Sequence, residues 1–491
     1  MRQNTPKILQ HKQINKRSKF AKKHSMILEQ IYTGCLAQGA YYIESNGEAV
    51  VIDPLREVNS YLEKASKNNA QIKYIFETHF HADFVSGHVS LSKATGAPIV
   101  FGPEANPTFD AIIATDGQEF TIGALTLKVM HTPGHTMESS CFLLFDENGK
   151  EHALFSGDTL FLGDVGRPDL AQKAAHMTQE ELAGILYESL HSKILPLPDD
   201  VLLYPAHGAG SACGKNISKE TFGPLGDQKK NNYALDVSLG KEEFIKQLTD
   251  GLLPAPAYFP ANVKLNKEGY SDVNDVLAQG LIPLNADEFE HAATQSRALI
   301  LDVRHQDDFT TAHIPNSIFI GLDGGFAPWV GAMIGDVQHP ILLVVDKGRE
   351  QEAITRLARV GFDRVMGYLS GGLASWEAAG KETDKIENVA AQDIEKQKLT
   401  VVDVRKPSEY ISEHLEGATN MPLDLINDYL NDFNQDTPFY IHCAGGYRSV
   451  IAASVLKSRG IHGGINILGG YAALKKTNLK RTDYVCPSTI N

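Results

Sequence analysis

The stretch Thr78-His79-Phe80-His81-Ala82-Asp83-Phe84 decides how the first half of this 491-residue chain is read. It follows an apolar, β-prone run from Ile72 to Phe76, so its two histidines and its aspartate are expected just past a strand end. Loops at strand ends are where a rigid scaffold presents chemistry. The H-x-H-x-D spacing supplies imidazole and carboxylate donors, which transition metals accept. Three later segments repeat the placement. His131-Thr132-Pro133-Gly134-His135-Thr136 follows the run Leu125 to Met130, and Ser156-Gly157-Asp158-Thr159 follows Ala153 to Phe155. Tyr204-Pro205-Ala206-His207-Gly208 follows Val201 to Leu203. Four such segments in order are far more specific than one His-x-His alone.

The string at residues 79–84 resembles the signature of the metallo-β-lactamase superfamily, H-x-H-x-D-H, with Phe84 where the final His should be. In that superfamily the Asp and the last His bind a second metal. A phenyl ring has no lone pair to donate, so the resemblance implies one metal rather than two zincs. Two imidazoles and one carboxylate with open positions suit non-haem Fe(II) and O2 chemistry. Within the superfamily the chain resembles the persulfide dioxygenases. Their motif positions imply His79, His135 and Asp158 as ligands of one Fe(II) per chain. His81, Asp83 and His207 then orient the ligands or move protons, although zinc held by several histidines, His81 among them, remains an alternative. Gly163-Asp164-Val165-Gly166-Arg167-Pro168-Asp169-Leu170 also looks like this branch. It makes Arg167 a candidate for gripping the carboxylates of a carrier thiol, as a planar guanidinium does well. Cys213, in the loop after His207, is read either as a thiol near incoming persulfide or as a small buried one.

A second site is expected at His442-Cys443-Ala444-Gly445-Gly446-Tyr447-Arg448-Ser449. An apolar strand, Phe439 to Ile441, delivers Cys443 into a glycine-bearing loop, and a helix from Ser449 to Arg459 follows with Gly460 as its stop. Loop amides and a helix N-terminus around a sulfur favour the thiolate. The string resembles the rhodanese loop C-x-x-x-x-R-[ST], which implies Cys443 as the sulfur carrier, with Arg448 beside it. The resemblance covers the last third of the chain, through Val402-Asp403-Val404-Arg405 and Leu468-Gly469-Gly470. It also repeats: Leu301-Asp302-Val303-Arg304 and Ser370-Gly371-Gly372 mark an earlier copy. In that copy Leu343-Val344-Val345-Asp346-Lys347-Gly348-Arg349 stands where the loop belongs. Asp346 cannot carry sulfur, so the copy is read as inactive.

The predicted fold class is α/β: a metallo-β-lactamase αββα sandwich followed by two rhodanese-like α/β domains. The expected boundaries are a basic disordered tail at 1–25, a sandwich at 26–240 and a Pro-containing linker at 241–281. An inactive rhodanese-like unit at 282–382 and an active one at 386–491 complete the chain. A net charge of −14 argues against nucleic acid as a partner. Five cysteines without metal-finger spacing fit reduced thiols and a cytoplasmic setting. No apolar run reaches membrane-spanning length. The tail carries no acid and lacks the hydrophobic core of a secretory signal.

Together these readings predict oxidation of a small-molecule persulfide by O2 to sulfite, coupled to sulfur transfer between Cys443 and sulfite or thiosulfate, in a homo-oligomer. Two alternatives stay open: a zinc thioester hydrolase similar to glyoxalase II, fused to a rhodanese, and a sulfur-carrier or redox-sensing module with a structural metal domain.

Overall fold

The computed structural model describes residues 26–252, 254–396, 400–433 and 437–486; the basic stretch 1–25 lies outside them. Two six-stranded sheets face each other in the first half. One runs in the order Ile27–Thr33, Gln38–Ser45, Glu48–Ile52, Gln71–Phe76, Ile99–Phe101, Ile112–Ile113. The other runs Gly223–Pro224, Leu202–Pro205, Glu151–Gly157, Ser140–Phe145, Leu125–His131, Glu119–Ile122. Alternation sets their inner faces. Leu125, Leu127 and Val129 point inward from one strand and meet Tyr41, Ile43, Val50, Phe76 and Phe142. The outer faces bury different residues. Tyr42, Val51, Ile72 and Ile75 pack with Tyr61 and Ala65 of helix Asn59–Asn68 and Leu91 of helix His88–Thr95. Leu143, Leu154 and Leu203 pack with Leu186 of helix Gln179–Ser189. Helix, sheet, sheet, helix is the predicted αββα sandwich. Thr178 and Glu181 close the start of helix Gln179–Ser189 as a reciprocal cap.

Two five-stranded parallel sheets follow, with one strand order. The first is Pro283–Leu284, Val365–Leu369, Ile341–Val344, Leu299–Asp302, Ile318–Phe319; the second is Glu387–Val389, Gly464–Ile467, Phe439–His442, Thr400–Asp403, Thr419–Asn420. The central strands Ile341–Val344 and Phe439–His442 are buried at every residue. Helices cover both faces, as all-parallel sheets require.

The stretch 241–281, read from its prolines as a linker, holds three helices. Lys241–Thr249 buries Phe244 and Leu248 in the sandwich. Phe259–Glu268 lies against the turn after strand Gln71–Phe76, and Val273–Gly280 packs on the first rhodanese unit. The seam between the sandwich and that unit is built on Arg56, which is fully buried. Its guanidinium forks onto Asp363 at 2.6 and 2.7 Å and donates to the Ala358 and Ser271 carbonyls, both at 2.7 Å. A buried cation held by four such bonds resists separation of the two domains, since removing one partner costs about 3–5 kcal/mol.

Candidate metal centre and sulfur loop

Strand ends carry the first site, as the sequence predicts. The strands Gln71–Phe76, Leu125–His131, Glu151–Gly157 and Leu202–Pro205 run to one end of the sandwich. There His79, His135 and Asp158 come together, all buried, with ligand atoms within 4.8 Å of one another. Asp158 Oδ2 lies 3.5 Å from His135 Nε2 and 3.8 Å from His79 Nε2.

The hydrogen bonds fix both tautomers. His135 Nδ1 must donate to the Arg167 carbonyl at 2.8 Å, which frees the Nε2 lone pair. Thr78 gives its one hydroxyl proton to Asp53 Oδ2 at 2.9 Å, so it accepts from His79 Nδ1 at 3.0 Å, and His79 Nε2 is free as well. Burial, with His81 alongside, pushes His79 well below the usual imidazole range. Burial raises the Asp158 carboxyl, but His207, His79 and His135 outweigh it and hold the group far below the carboxylate range. Asp158 Oδ1 accepts from His207 Nδ1 at 2.7 Å, while buried Oδ2 has no hydrogen-bond partner. Two neutral imidazole lone pairs and one orphaned carboxylate oxygen fit a divalent transition metal.

The neighbours fall into two groups. Asp83, His207 and Cys213 form one buried cluster, with His207 Nε2 2.9 Å from Asp83 Oδ2. Burial opposes a charge on His207, but Asp158 and Asp83 on either side push its pKa well above the ordinary value. Burial pushes the Cys213 thiol well up, with Asp83 and Asp158 adding to it. His81 turns away from the triad toward Asp53, 3.2 Å away, and Glu77, 3.7 Å away. The Phe84 ring sits 4.4 Å from the His81 ring, fully buried, where the signature would place another imidazole.

Arg167 is tied down by its neighbours in the chain. Its Nε and Nη2 fork onto Asp169 at 2.7 Å each, and Nη1 donates to the Ala212 carbonyl at 3.2 Å. Asp169 thus engages the guanidinium fork, and the Arg167 main chain orients His135. The sequence reading also missed Asn266. From helix Phe259–Glu268 its Nδ2 donates to the His81 and Phe84 carbonyls, both at 2.8 Å, and its Oδ1 accepts from Ser86 N at 2.9 Å. Tyr258 donates to the Asp83 carbonyl at 3.3 Å. Asp53 was legible in principle, because it too ends an apolar strand, Glu48–Ile52.

The second site lies after the central strand Phe439–His442. Cys443 is 1% exposed, and Ala444 and Gly445 are exposed. Gly446 N donates to the sulfur at 3.1 Å, and Ser449 Oγ lies 3.7 Å from it. Gly446 has φ +112°, which a side chain would strain. Helix Tyr447–Ser458 begins at once, so its N-terminal end adds to the field on the sulfur. Arg448 forks onto Glu409 at 2.6 and 2.9 Å. In the first copy, strand pairing corrects the sequence reading. Asp302 pairs with Val344 as Asp403 pairs with His442, so the residue at the Cys443 position is Val345, not Asp346.

Comparison with known proteins agrees with these domains. The metallo-β-lactamase superfamily model matches residues 33–207, and the rhodanese-like domain model matches 285–379 and 387–477. The chain is 36% identical over 168 residues to a hydroxyacylglutathione hydrolase of Francisella tularensis subsp. novicida, covering 34% of this chain and 61% of that protein. To the human mitochondrial persulfide dioxygenase ETHE1 it is 31% identical over 224 residues, covering 44% of this chain and 79% of that one. A crystal structure of a metallo-β-lactamase from Staphylococcus aureus superposes with a TM-score of 0.61 at 30% identity, covering 71% of this chain and 99% of that chain. The chain belongs to the metallo-β-lactamase superfamily, related to its persulfide dioxygenase and hydroxyacylglutathione hydrolase branches, with its metal-binding domain fused to two rhodanese-like domains.

Proposed function

We propose that the chain is an iron-dependent persulfide dioxygenase coupled to a sulfurtransferase. The overall change at the first site is R-S-SH + O2 + H2O → R-SH + SO3²⁻ + 2H⁺. The observation that carries this reading is the triad: two imidazole Nε2 lone pairs and Asp158 Oδ2 converge, while Phe84 fills the place of a further ligand. The name of the human relative points the same way. Fe(II) bound there would supply redox chemistry with O2 at open positions. The chain's own groups do the rest. The Arg167 carbonyl and Thr78 hold the two ligand rings in their metal-binding tautomers, and His207 holds Asp158 through Oδ1. Phe84 and Phe161 set apolar rings against His81 and His207 beside the triad.

At the second site the Cys443 thiolate takes the outer sulfur of another R-S-SH, whose S–S bond breaks to release R-SH, and the Cys443 persulfide so formed gives that sulfur to sulfite. The S–S bond breaks, thiosulfate leaves, and the Cys443 thiolate remains under the Gly446 amide. The thiol carrier of the substrate, a homo-oligomeric state and a cytoplasmic setting belong to the same proposal. No helix among the described residues is long and apolar enough to cross a membrane.

The names of the hydrolase relatives, with Asp83 and His207 kept, favour a second reading, thioester hydrolysis with zinc-activated water. Single Ala variants at His79, His135 and Asp158 separate the two. Each should lose bound iron and persulfide-dependent O2 uptake together, whereas loss of zinc and thioesterase activity with no O2 uptake in the parent would establish the hydrolase.

A further inference from the structure

The first rhodanese copy touches the loop of the second. Tyr447, the first residue of helix Tyr447–Ser458, reaches across the seam and donates from its hydroxyl to the Gly321 carbonyl at 2.7 Å. The Phe319 ring meets the Tyr447 ring edge-on at 5.8 Å. Gly324 lies so close that a Cβ there would stand 2.2 to 2.6 Å from Cζ, Cε2 and Cε1 of Tyr447. Two helical turns further on, Ser454 Oγ accepts from Phe319 N at 3.0 Å, covering the edge strand of the first sheet. Within the second copy the loop is held on its other side, where Tyr471 N and Ala472 N donate to the Cys443 and Ala444 carbonyls at 2.7 and 3.0 Å. Its tip, Ala444 and Gly445, is exposed, and nothing lies within 4 Å of a Cβ placed on Gly445. The amide on the sulfur belongs to Gly446, the immediate neighbour of Tyr447.

We infer that the inactive copy completes the sulfur-transfer site: Gly321, Phe319 and Gly324 seat Tyr447, and Tyr447, as a positioning residue, holds the Gly446 amide on the Cys443 sulfur. This rests on Cys443 being the sulfur carrier. A copy without its own nucleophile is then kept as one wall of its neighbour's loop. The seat is tight only because residue 324 has no side chain.

The test is steady-state transfer of sulfur from thiosulfate to cyanide by the full chain, with iron-dependent O2 uptake as the control for folding. In Gly324→Ala the methyl displaces the ring, so kcat should fall about tenfold. KM for thiosulfate should stay within about twofold, because Arg448 is held by Glu409 inside the second copy. Tyr447→Ala should cost about the same. The double variant should be no worse than Tyr447→Ala, since without the ring there is nothing to displace. Tyr447→Phe, which loses only the hydroxyl, gives a milder drop of about threefold and guards against a misfolded Ala form. Full kcat in Gly324→Ala, effects that multiply in the double variant, or a rise in KM with kcat kept would each overturn the inference. Failure of the underlying reading looks different: Cys443→Ser would then still transfer sulfur.

Discussion

The two rhodanese copies share a frame and differ in one loop. In both, an arginine two residues past a buried aspartate folds back on it. Arg304 meets Asp302 at 2.9 and 2.6 Å and the Ala312 carbonyl at 2.9 Å; Arg405 meets Asp403 at 2.9 and 2.6 Å and the Glu413 carbonyl at 2.9 Å. In both, a histidine stacks on an aromatic ring four residues earlier, His313 on Phe309 and His414 on Tyr410. The loops diverge. Four residues, 443–446, join the central strand to its helix in the second copy; five residues, 345–349, do so in the first. The buried sulfur becomes buried Val345, and Arg349 pairs with Asp323 and Glu352 instead of flanking a sulfur. The comparison teaches that the frame is maintained by its own packing and charge pairs, independently of the loop's chemistry.

The largest effect expected from this difference is at the nucleophile. Cys443→Ser should lower sulfur transfer by about three orders of magnitude or more while persulfide oxidation continues. Fed persulfide and O2, the parent should release mostly thiosulfate and the variant mostly sulfite, as ion chromatography would record. Asp346→Ala should change neither product. Val345→Cys in the Cys443→Ser background should not restore transfer, because the first loop is one residue longer and lacks the Gly446-type amide; recovery there would break the distinction between the copies.

Arg448→Ala should reduce transfer about a hundredfold, the usual cost of removing a cation or donor at a reacting anion. Arg349→Ala, at the end of the first loop, should leave the rate unchanged in the same assay. The frame should respond alike in both copies. Arg304→Met and Arg405→Met each strand a buried aspartate and should each cost about 3 kcal/mol in urea unfolding. A much smaller loss for Arg304 would show that the frames are not equivalent. The smallest effect is expected at Lys457, which pairs with Asp384 of the segment joining the copies at 2.8 Å. Partly exposed, this pair should contribute under about 1 kcal/mol, and Lys457→Ala should transfer sulfur at the parent rate.

Much of this was legible in the sequence, for physical reasons. Apolar runs ending in His, Asp or Cys marked the strand ends, and both rhodanese sheets followed from repeated Asp-Val-Arg and Gly-Gly signals. Asp-Val-Arg and Gly-Gly signals do not set the register of the loop between them, so Asp346 was read as the residue in place of the nucleophile; the pairing of Asp302 with Val344 puts Val345 there. Prolines near residue 256 hid three helices whose stability comes from burial against distant chain. Asn266 left no local signal, because its partner His81 lies 185 residues away. The Arg167 fork was closer to hand, since Asp169 is two residues on, but sequence alone does not say which way a guanidinium turns.

The central claim is that the metal triad performs oxygen chemistry on persulfide. Metal content and O2 consumption, measured on one preparation given glutathione persulfide under air, test it most directly. The account predicts about one iron per chain, and one O2 consumed for each sulfite equivalent formed, counting thiosulfate as one. Two zincs per chain, with a thioester hydrolysed and no O2 taken up, would contradict it.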